Sequence, residues 1–432
     1  MSDLIIHGGI PLRGELRPSS NKNAVLPILC ATLFAEGTVR LRPLPDTTDV
    51  RRILDFFRKL GSRVEFVEEG RVLEVSHEQA RFDPAEHILP VEMRSSIMLV
   101  PGLLHRFGSA RIERDVQGCT LGVREIDPHI EVFRKFGVHI DTAPDCLILQ
   151  RQKLPQAQSH WLEYASVTTT ENFIFCALNA EGTSLLMNAA SEPHVQELCR
   201  FLERLGAKID GIGTSRLRIT GGVALGSAEY EFEEDYHEIV TMMALGAITG
   251  GDVRVKNSVP EHFPLLDRTF AKFGVTVEHA DGWSHAQVGP EGLHVQEPFT
   301  SNLLQKVEAA PWPYVPADLL PIFIALGVAA RGGTMFWNKV YDGALGWTSE
   351  LSKFGAHVVM ADPHRVITFG GKRLTAATVE SPYIIRVAIA LLMVAAGIPG
   401  HSVIRNASPI KRAHPHFDEN LRSLGAQVEW RS

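Results

Sequence analysis

One pattern of apolar and polar positions recurs six times along the chain. Each copy is the end of an amphipathic helix, then a Gly, then a short strand of alternating residues. The first reads Phe57-Arg58-Lys59-Leu60-Gly61-Ser62-Arg63-Val64, and the second Phe133-Arg134-Lys135-Phe136-Gly137-Val138-His139-Ile140. The other four centre on Gly206, Gly274, Gly355 and Gly425. A Gly there suits the left-handed position just past a helix C-terminus. The basic residues before it suit the negative end of the helix dipole. The period is roughly 70 residues, longer than that of common solenoids.

A second marker precedes each copy: an apolar helix, a Gly and a β-rich run. Ala35-Glu36-Gly37-Thr38-Val39-Arg40-Leu41 and Ala180-Glu181-Gly182-Thr183-Ser184-Leu185-Leu186 are two examples. Ile322–Ala330 and Ile389–Ala396 are apolar nearly all round, which predicts helices buried at a domain centre. Each unit then reads apolar helix, strand, amphipathic helix, strand, further strand. Helix-Gly-strand alone is common in α/β proteins; six copies at similar spacing are not. The expected fold class is therefore α/β, in two domains of three units each. The first domain spans 22–234; the second joins 1–21 to 235–432. The acidic stretch Glu229–Asp235 marks the crossing. Two such domains facing each other would form a cleft, the usual place for a small-molecule site.

Composition narrows the partners. The 432 residues exceed one ordinary core. Hydrophobic content of 45% and charged content of 22% are those of soluble globular proteins. A net charge of -7 gives no reason to expect nucleic acid or an anionic membrane as partner. The N-terminal residues lack the pattern of a signal peptide. The apolar run Ile384–Ile398 is interrupted by Arg386 and is too short to span a bilayer. Cys30, Cys119, Cys146, Cys176 and Cys199 are scattered, without a close Cys-x-x-Cys pair. That fits a reducing cytoplasm and argues against a disulfide framework or a zinc site. No metal or cofactor is expected, and the sequence does not fix an oligomeric state.

Several stretches carry candidate chemistry. In Asp115-Val116-Gln117-Gly118-Cys119-Thr120-Leu121-Gly122-Val123-Arg124, a Cys lies on a Gly-punctuated loop with an Arg five positions on. A nearby cation would lower the thiol pKa, and the Arg fork suits a phosphate or carboxylate; an ordinary surface thiol is the plain alternative. Ser20-Asn21-Lys22-Asn23 precedes the first apolar helix, as an anion site or as simple N-capping by Ser20 or Asn21. Met93-Arg94-Ser95-Ser96 and Ser166-Val167-Thr168-Thr169-Thr170-Glu171 head two further helices, with the same pair of readings. Asp127-Pro128-His129 offers polar ligands or a turn with Asp127 as cap. Three prolines stiffen the loop that delivers Asp318, as a general base or as another cap. Arg386 sits in an apolar helix and needs an anion or a partner. Lys411-Arg412 precedes a further helix, either binding an anion or simply solvated.

In this order the pieces resemble the enolpyruvyl transferase family over essentially the whole chain. The Cys loop followed by Arg124 and Asp127-Pro128-His129 is similar to the cell-wall branch; the shikimate branch lacks it. The resemblance implies an inside-out α/β barrel fold of two three-unit domains, with the N-terminal strand pairing in the second. It implies transfer of the enolpyruvyl group of phosphoenolpyruvate, a co-substrate, to a uridine-nucleotide acceptor, UDP-N-acetylglucosamine by default. Asp318 would take the acceptor hydroxyl proton, Cys119 would serve the acid side, and Lys22 would assist. Lys22, Arg124, Arg386 and Arg412 would hold phosphoenolpyruvate. Asn23, Arg94, Arg124, Asp127, His129, Ser166, Val167, Asp318 and Val340 would contact the acceptor, with Asp235 near the crossing.

The chain departs from the family pattern at five positions. Ala344 stands where an Arg usually binds the donor carboxylate. Tyr164 replaces a Lys that faces the acceptor diphosphate. Thr168, Glu125 and Met98 replace a Gly, a Pro and an aromatic. These changes leave two other readings: a paralogue acting on another nucleotide or nucleotide sugar such as UMP, and a non-catalytic ligand-binding homologue.

Overall fold

The six repeat glycines take positive φ, from 72° to 112°, at Gly61, Gly137, Gly206, Gly274, Gly355 and Gly425. That backbone region is open to a residue without Cβ and strained for others. Each Gly therefore stops a helix and turns the chain into a strand. The pairs are Thr48–Lys59 with Arg63–Val67, Asp127–Lys135 with Val138–Thr142, and Pro193–Leu205 with Lys208–Asp210. Pro264–Ala271 leads to Val275–Ala280, Gly346–Phe354 to His357–Asp362, and Phe417–Ser423 to Gln427–Arg431. The fifth of these helices is 3-10 rather than α. The computed structural model describes residues 2–90, 93–113, 126–299 and 302–431.

Two compact units contain these residues. One comprises 20–113 with 126–233, the other 2–19 with 234–431. The chain passes from one to the other between Ser19 and Ser20, and returns between Glu233 and Glu234. Each unit has its own apolar core.

Three apolar helices run through each core. They are Lys22–Ala31, Leu99–Phe107 and Val167–Leu178 in one unit, and Tyr236–Thr249, Leu320–Ala329 and Ile385–Ala396 in the other. Residues 320–328 and 387–396 are buried without interruption, so these helices present no face to water. Each buried Leu, Ile or Phe contributes about 1.5–3 kcal/mol. Among the described residues, no helix is long and apolar enough to cross a membrane.

Among the described residues, six small sheets repeat one ladder. In five of them a parallel pair is extended by two antiparallel strands. The sixth, Ser109–Glu113, Cys146–Arg151 and Val138–Thr142, shows only the antiparallel part among the described residues. The N-terminal residues complete two sheets of the 234–431 unit. Asp3–Gly8 pairs with Gly400–Arg405 and Gln427–Arg431, and Arg13–Leu16 pairs with Asp252–Lys256.

Candidate active site

The sequence-selected residues sit mostly where the apolar helices begin. Free N–H groups and the positive end of the dipole favour anions there. In the 20–233 unit, Lys22 and Asn23 open the Lys22–Ala31 helix. Asn21 caps it, its Oδ1 accepting from the Asn23 N–H at 2.9 Å. Ser20 is not the cap; its hydroxyl donates to the Pro43 carbonyl at 2.9 Å. Lys22 Nζ lies 3.1 Å from Asp49 Oδ2, and the Asp49 side chain is only 3% exposed. An ammonium has three donors, so this contact leaves Lys22 able to meet a second anion.

Arg94 opens the 3-10 turn Arg94–Met98, which runs into the Leu99–Phe107 helix. Ser166 caps Val167–Leu178, its Oγ accepting from the Thr169 N–H at 3.4 Å. Val167 is the first residue of that helix and is half-buried. Asp127 is exposed and begins its helix without capping it.

His129 is placed differently from the sequence expectation of a ligand contact. It is buried, and both ring nitrogens face protein groups. Asn172 Nδ2 donates to Nδ1 at 2.8 Å. The proton therefore sits on Nε2, which faces Thr168 Oγ1 at 3.4 Å. Burial, with the Arg94 charge second, pushes this imidazole down to about 3. His129 thus braces the start of the Val167–Leu178 helix as a neutral ring, using the hydroxyl of Thr168.

In the 234–431 unit, Asp318 lies in a 3-10 turn, Ala317–Leu319, at the head of Leu320–Ala329. Leu319 occupies the N-cap position of that helix, and no side chain caps it. The Asp318 carboxylate is half-buried and has no hydrogen-bond or ion-pair partner among the described residues. A carboxylate left uncommitted in this way is free to accept a proton.

Arg386 is the second residue of Ile385–Ala396, in the first turn rather than deep within the helix. Its NH2 lies 3.7 Å from Asp235 Oδ2, and its NH1 lies 3.0 Å from His414 Nε2. Asp235 caps Tyr236–Thr249 through a 2.9 Å bond from the His237 N–H. Its Oδ1 also lies 3.0 Å from His237 Nδ1. Burial would raise the Asp235 carboxyl; the His237 bond, Arg386 and His414 outweigh it and hold it well below the usual range. Glu238 is lowered as well, against its burial, by His414 and Ser19.

Arg412 lies half-buried on Pro409–Ala413. Val340 is exposed, its N–H bonded to Asn338 Oδ1 at 2.9 Å, in the stretch leading to Ala344. Two nearby cations are committed elsewhere. Lys339 pairs with Glu308 at 2.7 Å, and Arg331 donates to the Glu291 carbonyl at 2.8 Å. Tyr164, in the loop before Ser166, is 54% exposed, so its phenol is open to a ligand.

The structure thus brings Arg386 together with Asp235. Asp318 and Val340 are not joined to Arg386 by a hydrogen bond or ion pair among the described residues. Cys119 and Arg124 lie outside the described residues. Sequence reasoning missed Asp49, Glu238 and His414, the groups that hold the candidate cations or stand next to them. The one available signal was the polar run Asp235-Tyr236-His237-Glu238 at the head of an otherwise apolar helix.

The profile of EPSP synthase (3-phosphoshikimate 1-carboxyvinyltransferase) matches residues 6–421. A UDP-N-acetylglucosamine 1-carboxyvinyltransferase from Bradyrhizobium diazoefficiens is 34% identical over 98% of this chain and 97% of its own. One from Treponema denticola is 32% identical over 99% of both. The crystal structure of the enolpyruvyl transferase NikO from Streptomyces tendae superposes with a TM-score of 0.86. It covers 100% of this chain and 99% of its own at 22% identity.

Proposed function

The chain belongs to the EPSP synthase (3-phosphoshikimate 1-carboxyvinyltransferase) family, and we propose that it transfers the enolpyruvyl group of phosphoenolpyruvate to a hydroxyl of a uridine-nucleotide acceptor, UDP-N-acetylglucosamine first of all, releasing phosphate. The enzyme works on small molecules in the cytoplasm and serves peptidoglycan synthesis. The observation that carries this reading is Asp318. It is a half-buried carboxylate that neither caps its helix nor pairs with a cation among the described residues. A general base needs that freedom.

The reaction runs as addition and elimination. Asp318 takes the acceptor hydroxyl proton as that oxygen bonds to C2 of phosphoenolpyruvate. C3 gains a proton from the acid side, the role assigned to Cys119. Loss of that proton from C3 and cleavage of the C2–O bond to phosphorus then restore the double bond and release phosphate. Lys22, Arg124, Arg386 and Arg412 neutralise the donor's charges through both steps. Asn23, Arg94, Asp127, Ser166, Val167 and Val340 hold the acceptor. His129, buried and satisfied, supports that set from behind rather than touching the ligand.

The family's inside-out barrel architecture also fits each unit. The three central helices of a unit are apolar and buried, while its strands alternate buried and exposed residues. Helices inside and sheets outside follow from that burial.

A second reading, another nucleotide or nucleotide sugar such as UMP, draws on the exposed Tyr164 in place of a Lys. Phosphate release from phosphoenolpyruvate, measured with UDP-N-acetylglucosamine, other UDP sugars and UMP, separates the readings. Release with UDP-N-acetylglucosamine is expected. Release with UMP alone would move the acceptor assignment, and release with none would leave a binding protein.

A further inference from the structure

Arg386 sits beside a cluster of buried polar groups, all within the 234–431 unit and the residues leading up to Ser19. A guanidinium only donates, so His414 Nε2 must accept from NH1 at 3.0 Å. The His414 proton then lies on Nδ1, which is buried without a hydrogen-bond partner among the described residues; Glu238 Oε2 is 3.7 Å away, close enough to attract that N–H but beyond hydrogen-bond distance. Glu238 is fixed in turn by the Ser19 N–H at 3.0 Å, the Ser19 hydroxyl at 2.7 Å and Asn420 Nδ2 at 3.2 Å. On the other side Asp235 is fixed by His237. The side chains of His414, Glu238 and Asp235 are 4%, 2% and 5% exposed, and that of Arg386 is 12%.

The two contacts to Arg386 differ in kind. Asp235 lies at 3.7 Å, beyond hydrogen-bond distance, and its Oδ1 already serves His237. It contributes charge without direction. His414 lies at hydrogen-bond distance and contributes direction. A histidine suits this place because one ring nitrogen can accept from Arg386 while the other carries an N–H. Among the described residues, one of the five guanidinium N–H groups is committed to His414; the others remain for an anion.

We infer that His414 is a positioning residue for the donor site, orienting the Arg386 guanidinium towards the anionic groups of phosphoenolpyruvate. The inference rests on the reading above in which Arg386 binds that donor. Without His414 the guanidinium turns to the carboxylates of Asp235 and Glu238 and is lost to the donor.

Steady-state kinetics with UDP-N-acetylglucosamine and phosphoenolpyruvate test it. His414→Leu is expected to raise the KM for phosphoenolpyruvate roughly 10- to 100-fold, the range for a hydrogen bond to a charged group. The kcat at saturating donor and the acceptor KM are expected to stay within about threefold. His414→Gln, which keeps an accepting oxygen and a donating nitrogen, is expected to restore most of the donor affinity. Should His414→Leu fail to fold, His414→Asn, polar but too short to reach Arg386, carries the same expectation. In an Arg386→Ala background, His414→Leu is expected to add nothing. An unchanged donor KM in the His414 variants, with a raised one in Arg386→Ala, overturns the inference alone. An unchanged donor KM in Arg386→Ala overturns the donor-site reading itself.

Discussion

Lys22 Nζ rests 3.1 Å from the buried carboxylate of Asp49, which comes from the first turn of the next helix. The pair fixes a candidate donor-binding cation at the start of an apolar helix. Asp49→Ala leaves Lys22 without this partner in a half-buried place. Breaking a fully buried pair costs about 3–5 kcal/mol, and the partial exposure of Lys22 puts this one below that range. A lower urea midpoint and a raised KM for phosphoenolpyruvate are expected together. A normal donor KM in the folded variant would detach Asp49 from the site.

Asp318→Asn should behave in the opposite way. The carboxylate has no partner among the described residues, so the variant should unfold within about 0.5 kcal/mol of the parent. Phosphate release should fall roughly 100- to 10,000-fold, the usual contribution of general base catalysis. Full activity would remove Asp318 from the base role.

Glu171 is a buried acid in the Val167–Leu178 helix, with Oε1 unpartnered among the described residues. Burial, then the nearby Glu192 charge, raises its carboxyl well above the usual range. The folded protein therefore keeps it protonated while the unfolded chain ionises. Its contribution is fully present below the ordinary value of 4.5 and is lost as pH rises. Glu171→Gln should be more stable than the parent near pH 8 and close to it near pH 4. Urea unfolding at both values checks the sign.

His129 and His77 act in acid. Burial pushes both imidazoles down to about 3 from 6.5, so the unfolded chain binds protons that the folded one refuses. Their contribution is complete above pH 6.5 and declines as pH falls towards 3, by about 1.4 kcal/mol per pH unit for each ring. His129→Gln should make that decline shallower by one ring's share. An unchanged slope would show that His129 is not neutral in the fold.

Thiol chemistry offers a separate test of the Cys119 assignment. Cys30, Cys146, Cys176 and Cys199 are buried. Burial pushes the Cys176 and Cys30 thiols well above the ordinary value and raises Cys199 to about 12. Iodoacetamide at neutral pH should therefore label one thiol in the folded protein. Cys119→Ser should abolish both labelling and turnover. Labelling that persists in Cys119→Ser would point to one of the other four.

What could be read from the chain follows the range of each signal. Gly61 and its five counterparts are legible because a helix end is encoded in consecutive residues. Burial of the helices around Ile322 and Ile389 is legible because every turn is apolar. The choice of Asn21 over Ser20 as cap is not, because Ser20 is drawn away by Pro43, 23 positions on. Arg386 looked in need of a partner, yet nothing local names His414 or Asp235; their pairing exists only once two helix starts lie together. Asp318 showed its Pro-flanked delivery but not whether it was spent as a cap. That took the structure, which puts Leu319 there instead.

The Asp3–Gly8 strand lies inside its sheet, between Gly400–Arg405 and Gln427–Arg431. On the ribosome it emerges roughly 400 residues before its partners, a delay of about 20–80 s at ordinary translation rates. Among the described residues, the 20–233 segment carries every strand of its own sheets and can close while synthesis continues. The other unit cannot. Its Leu4 and Ile6 must wait, unpaired and apolar, for the last strand to arrive, and that interval is when a nascent chain most needs a chaperone.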